Sequence, residues 1–189
     1  MVVSNKPMFT EDDLLPISAL QHLAFCERQW ALIHLEQVWE ENVLTVQGKQ
    51  LHDKAHDAET EVRGDLRIAR GLRLRSLRLG LIGMADVVEF HRVSDRDRDR
   101  DRDREKRHPE PVEGRRMAIP LQGADGLWKP LIVEYKRGKP KVDRCDEVQV
   151  CAQALCLEEM LEISITSAAF FYGQPRRRFD VTVDESLRA

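Results

Sequence analysis

Apolar residues recur at helical spacing from Leu20 through Leu23, Ala24, Trp30 and Ala31 to Leu35. Ser18 stands just before them as a good N-cap type, so the pattern predicts a helix through residues 19–37. A second, more polar helix is predicted near Leu44 to Val62, with Gly48, His52 and His56 at spacings of four on one face. The period then changes. Leu66, Ile68, Leu72, Leu74, Leu77, Leu79 and Leu81 alternate with Arg and Ser, and GLIGMADVVEF continues as a second strand, which predicts a β-hairpin. Asp125 and Gly126 read as a turn before the strand PLIVEYKRG. Val142 to Leu161 reads as a helix, with Gln149 and Gln153 one turn apart. ITSAAFFYG and RFDVTVD read as two strands joined by a turn around Gly173 and Pro175. This order predicts an α/β fold with a central mixed β-sheet flanked by helices.

One stretch breaks the pattern. Asp95 to Arg107 alternates acidic and basic residues, six against seven, and leads into HPEPVEGRR. Low complexity without apolar residues offers nothing to pack, so residues 95–116 are expected to be a solvated, disordered insertion in a single domain spanning 1–189. The near-cancellation of charge argues against a nucleic-acid arm, because each Arg has an acidic neighbour competing with phosphate.

Composition changes this picture little. A chain of 189 residues, 42% hydrophobic and 33% charged, is long enough for one substantial core. The formal charge of -3 gives no global basic signature, so any nucleic-acid contact must come from local clusters. The first residues lack the apolar region of a signal peptide, and no later run reaches the roughly eighteen apolar residues of a spanning helix. The expectation is a cytoplasmic protein with no membrane partner, whose four cysteines do not form a disulfide framework.

Candidate chemistry lies on the predicted strands. In IVEYKRG, alternation puts Glu134 and Lys136 on one face and Tyr135 on the other. Carboxylates suit hard divalent cations, and an ammonium can orient an attacking water or stabilise developing charge. The triplet alone is weak, because similar acid-x-base patterns occur at Glu61 with Arg63 and at Asp65 with Arg67. Asp86 strengthens it: a carboxylate within an apolar strand is costly unless paired, hydrogen-bonded or bound to a cation. Gly83 before it leaves room for close backbone approach. His52 offers an imidazole from a helix preceding the sheet. Lys136, Arg137, Lys139, Lys141 and Arg144 form one basic cluster, and Arg176, Arg177 and Arg178 another, both suited to phosphate. Trp30, Trp39 and Trp128 read as packing residues.

The order His52, Asp86 in G-x-x-D, Glu134-Tyr135-Lys136 and a helical glutamine resembles the RecB-like branch of the PD-(D/E)XK nuclease superfamily. More closely, it resembles the CRISPR-associated RecB-like exonucleases of spacer acquisition. The strings that carry the likeness are LPISALQHLAFCERQWAL, GKQLHDKAH, GMADVVEF, VEYKRGKPK, VQVCAQALCLEEM and FFYGQPRRRFDVTVDESLR. The resemblance implies a restriction-endonuclease-like core. It implies Mg2+ or Mn2+ bound by His52, Asp86, Glu134 and the Tyr135 carbonyl, Lys136 assisting the attacking water, and Gln149 as the motif glutamine. It implies hydrolysis of single-stranded DNA ends, with Arg137, Lys139, Lys141 and Arg176 to Arg178 on the DNA and a CRISPR integrase as partner. Where that branch often has tyrosine, this chain has Gln153. A non-catalytic DNA- or integrase-binding subunit and a stand-alone repair nuclease of the same superfamily remain alternative readings.

The resemblance also implies a 4Fe-4S cluster held by one N-terminal and three C-terminal cysteines. Cys26 matches the first, but the sequence ends at DESLRA without the trio. Cys145, Cys151 and Cys156 spread around the predicted helix and are expected to pack in or near the core. Purified protein of this sequence is therefore expected to show no stable iron–sulfur absorbance; a stoichiometric cluster would overturn this.

Overall fold

A computed structural model describes residues 8–38, 61–94, 116–141 and 143–189. The second predicted helix up to residue 60, with His52 and His56, lies outside the described residues. So do Trp39 and all of the low-complexity insertion except Arg116.

After a 3-10 turn at Glu11–Asp13, the chain forms β1 (Leu15–Pro16), α1 (Ile17–Phe25) and α2 (Glu27–His34). Strands β2 (Glu61–Arg63), β3 (Leu66–Ser76), β4 (Leu81–Arg92), β5 (Ile119–Leu121) and β6 (Ala124–Lys136) follow. Helix α3 (Cys145–Leu161) then leads to β7 (Ser167–Tyr172), β8 (Arg177–Thr182) and the short α4 (Glu185–Arg188). The strands form one mixed sheet in the order β2-β3-β4-β6-β7-β8, with β1 beside β4 and β5 beside β6. β6 and β7 run parallel, and α3 is the crossover that joins them. The α/β class with a mixed central sheet matches the sequence pattern. Among the described residues no helix is long and apolar enough to cross a membrane.

Four local expectations are corrected. The first helix is broken, because Cys26 is extended at φ -165° and ψ 115°. The break costs little backbone bonding: the Cys26 N–H donates to the His22 carbonyl at 2.9 Å, and its own carbonyl accepts from the Trp30 N–H at 3.0 Å. The helix also starts earlier than Ser18, behind an extended Pro16 whose ring fixes φ and whose position in β1 ties it to Ile82 of β4. Finally, Asp125 and Gly126 lie inside β6, and the turn falls at Gln122 and Gly123. The predicted second helix also ends in a different element, since Glu61 and Val62 belong to β2.

One face of the sheet packs against α1 and α3. Ala85, Val88, Phe90, Ile132, Ala168, Phe170 and Tyr172 meet Val150, Ala154 and Leu157 of α3 in the main core. Ile68, Val87, Val133 and Ala169, with Tyr135 and Phe171 against them, form a smaller cluster. The main core takes Leu81 and Ala85 from the start of β4, then Val88 and Phe90; from β3 it takes Leu72 and Leu74, then Ala69. Strict alternation cannot join these sets, so both strands change face at the same step, between the pairs Arg70–Val87 and Leu72–Ala85 that bracket Gly71 and Asp86. Gly71 takes φ +58° there, a conformation that a side chain would resist.

Helix α3 reaches the sheet margins through its last turns. Glu159 accepts from the backbone N–H groups of Leu77 and Arg78 at 3.0 and 3.2 Å and from the Ser76 hydroxyl, which pins the β3–β4 turn. Glu158 holds Arg188 of α4 through two bonds of 2.9 and 2.7 Å. Helix α1 seats on β4 at Gly83, where an added Cβ would stand 2.9 Å from Ile17 Cδ1. Gly83→Val is expected to lower unfolding free energy by about 1–3 kcal/mol, read from the urea midpoint. Unchanged stability would show that α1 is not seated there.

Candidate functional site

The site lies where β4 and β6 separate. Their antiparallel ladder runs from Arg92 with Trp128 to Val87 with Val133 and stops there. At the other end of β4, β1 takes the same edge at Leu81 and Ile82. The backbone between these two pairings has lost its strand partner. Side chains replace it, as buried N–H and C=O groups require. Asp86 Oδ2 accepts the Tyr135 N–H at 2.8 Å, and Gln153 Nε2 donates to the Met84 carbonyl at 3.2 Å.

Glu134 follows Val133 at the fork and points towards α3. It is 1% exposed, and Asp86 is 3% exposed. Glu134 Oε1 accepts from Lys136 Nζ at 3.1 Å and from Gln149 Nε2 at 2.7 Å. Its Oε2 accepts from Gln153 Nε2 at 2.8 Å. Lys136 Nζ also donates to Gln149 Oε1 at 2.7 Å, which closes a ring of three side chains. Burying a carboxylate costs several kcal/mol. Hydrogen bonds to a charged acceptor contribute about 1.5–3 kcal/mol each, so three of them are of the size needed to keep Glu134 in place.

Strand alternation therefore placed Glu134 and Lys136 correctly on one face. Tyr135 points the other way, its ring tilted against Phe171 with centroids 5.0 Å apart. Gln149 joins the same cluster from α3. His52 lies outside the described residues, and among those described no group of three or more His, Cys, Asp or Glu is arranged to hold a metal.

Beside Lys136 is a second polar cluster that the sequence reading did not identify. Asp146, 3% exposed at the start of α3, accepts from Gln21 of α1 at 2.5 Å, Lys141 at 3.0 Å and the Tyr172 hydroxyl at 3.1 Å. Burial pushes the Asp146 carboxyl up, but Lys136, Lys141 and Gln21 outweigh it and hold it below the usual carboxylate range. Burial and the Asp146 charge raise the Tyr172 hydroxyl. His22 of α1 lies nearby, its Nδ1 3.1 Å from His34 Nε2 of α2. These partners come from distant parts of the chain. The only sequence signal was an acid and a lysine near a helix start.

Of the basic residues, Lys141 is committed to Asp146 and faces the Phe25 ring at 5.4 Å, while Arg144 pairs with Glu147 at 2.7 Å. Arg178 grips Glu89 of β4 with two bonds of 3.1 and 3.0 Å. Arg176, Arg177 and Lys139 are exposed, and Arg137 is half-buried. The two basic clusters meet at one end of the sheet, since Lys136 aligns with Tyr172 and the Gly173 N–H donates to the Lys136 carbonyl at 2.7 Å.

The three cysteines of α3 pack in the interior, as expected. Cys145, Cys151 and Cys156 are buried free thiols, and Cys26 is exposed. Burial pushes Cys145 up to about 11 and Cys156 up to about 12, and it raises Cys151 as well. Among the described residues the four cysteines are not gathered into one group, so they do not fit a four-cysteine 4Fe-4S cluster.

No protein-family model matches the chain, and no curated protein matches it significantly. Its chemistry rests on the geometry.

That geometry carries a pH dependence. Burial first, then the charges of His34, Lys136 and Lys141, hold His22 below the ordinary imidazole value of 6.5. The unfolded chain therefore takes up this proton at higher pH than the folded chain does. The associated stability is fully present above 6.5 and is lost as pH falls from there through the folded value. Urea unfolding is expected to show stability declining below that pH, with a flatter decline in His22→Gln. Equal slopes in both proteins would remove His22 from the account.

Proposed function

We propose that this protein is a divalent-metal-dependent DNA nuclease with a RecB-like PD-(D/E)XK core, hydrolysing phosphodiester bonds at single-stranded ends. The observation that carries this reading is the pair of buried carboxylates, Asp86 and Glu134, at the point where their strands part. Lys136 lies on the same face as Glu134, 3.1 Å from it. The mixed sheet with a helical crossover between β6 and β7 supports it, as does the order of motifs along the chain.

The donors present suit a hard cation. The two buried carboxylates, Asp86 and Glu134, are oxygen ligands of the right kind. Asp86, Glu134 and the Tyr135 carbonyl would hold Mg2+ or Mn2+, with His52 as a further ligand. When bound, the ion would neutralise charge on the phosphate and lower the pKa of an attacking water. Lys136 supplies the fixed positive charge. Its ammonium, anchored by Gln149 and Glu134, can turn a donor towards the water or the developing oxyanion without reorganising. Arg137, Lys139, Arg176 and Arg177, brought to one end of the sheet by the β6–β7 pairing, hold flanking phosphates. In the cell we assign the enzyme to trimming spacer precursors beside a CRISPR integrase, a cytoplasmic role that rests on the sequence resemblance.

The test is a Mn2+-dependent assay on labelled single-stranded DNA with wild type, Glu134→Ala and Lys136→Ala. Wild type is expected to cut, and each variant to be slower by roughly 100-fold or more. Equal cleavage by all three would sink the site assignment. DNA binding without cleavage by any of them would favour the non-catalytic subunit.

A further inference from the structure

Gln153 is one turn beyond Gln149 on α3 and is 1% exposed. Its Nε2 donates to two acceptors, Glu134 Oε2 at 2.8 Å and the Met84 carbonyl at 3.2 Å. Those acceptors settle which way the amide faces. Turned over, its oxygen would meet a carboxylate and a carbonyl, both repulsive. Oε1 must therefore face away from them, and there it is buried with no hydrogen-bond partner among the described residues.

Gln149 makes the useful contrast. Both ends of its amide are used within the cluster, Nε2 on Glu134 and Oε1 on Lys136. Bracing the fork would need only the nitrogen end of Gln153. An amide oxygen kept in the interior without a donor costs about 1–3 kcal/mol, which is unexplained by a bracing role alone. The donor that would satisfy it must be small enough to reach the interior, a description that fits an ordered water.

We propose that Gln153 is a positioning residue of the metal site. Its Nε2 fixes the Oε2 edge of Glu134, and its Oε1 accepts a hydrogen bond from an ordered water. The inference rests on the metal-site reading given above. Gln149 and Gln153 grip opposite oxygens of one carboxylate, so Glu134 cannot rotate about its last torsion. Its plane is set before any ion arrives. Losing a partner of this kind typically weakens metal affinity by about 10–100-fold.

Mn2+ titration of the full chain by calorimetry, with thermal unfolding in metal-free buffer, tests this on wild type, Gln153→Met and Glu134→Ala. Wild type is expected to bind Mn2+, Glu134→Ala to lose binding, and Gln153→Met to bind about 10–100-fold more weakly. Gln153→Met with a lowered melting temperature but wild-type Mn2+ affinity would overturn the proposal and leave the metal site standing. Wild type that binds no Mn2+ would overturn both. Should Gln153→Met fail to fold, Gln153→Asn carries the same comparison, since it keeps an amide on α3 but draws it back from Glu134. A crystal structure with Mn2+ is expected to place a water on Gln153 Oε1, and a dry Oε1 would remove that half of the assignment.

Discussion

A sheet that forks leaves backbone groups without a neighbouring strand, and in the interior those groups must be paired by something else. Here β6 leaves β4 beyond the Val87–Val133 pair, and Asp86 and Gln153 take over the missing bonds. The fork is also what opens space between two strands for polar side chains to meet. Structural need and chemical opportunity thus coincide at the same few residues. Asp86 is a backbone partner and a candidate ligand, and Gln153 is a backbone partner and a clamp on Glu134.

Helix α3 is the element that makes the arrangement tolerable. Its first turn holds Asp146, which gathers Gln21, Lys141 and Tyr172 from α1, the loop after β6, and β7. Its middle supplies Gln149 and Gln153 to the fork, and its end supplies Glu158 and Glu159 to α4 and the β3–β4 turn. Between these polar contacts, Val150, Ala154 and Leu157 bury against the sheet. Small and apolar residues set how close the helix sits, and the polar ones set its register.

Much of this was legible in the sequence because it is local. Period-two alternation marked the β3–β4 hairpin and put Glu134 and Lys136 on one face, and helical spacing set Gln149 beside Gln153. The break at Cys26 was not legible. A continuous apolar period ran through it, and only packing of α1 on β4 and α3 makes the turn worthwhile. The Asp125–Gly126 signal misled because a glycine with positive φ can sit inside an irregular strand as well as in a turn. The Asp146 cluster was invisible for a different reason. Its contacts span 125 residues to Gln21 and 26 to Tyr172, and nothing in the local pattern marks such partners. His52 stands apart, since the structure does not describe it.

The shared change of face at Gly71 and Asp86 bears on how this chain can vary in length. Two paired strands that switch sides together keep their apolar residues inside only while each has the same number of residues up to the switch. One residue gained or lost on a single strand would turn half the hairpin inside out. At the ends of the strands the constraint disappears, because lengthening a connection costs only a slowly growing closure entropy. The long stretch between β4 and β5 lies at such an end. The chain can thus change length beyond the ends of these strands while tolerating no single-residue slip at its fork.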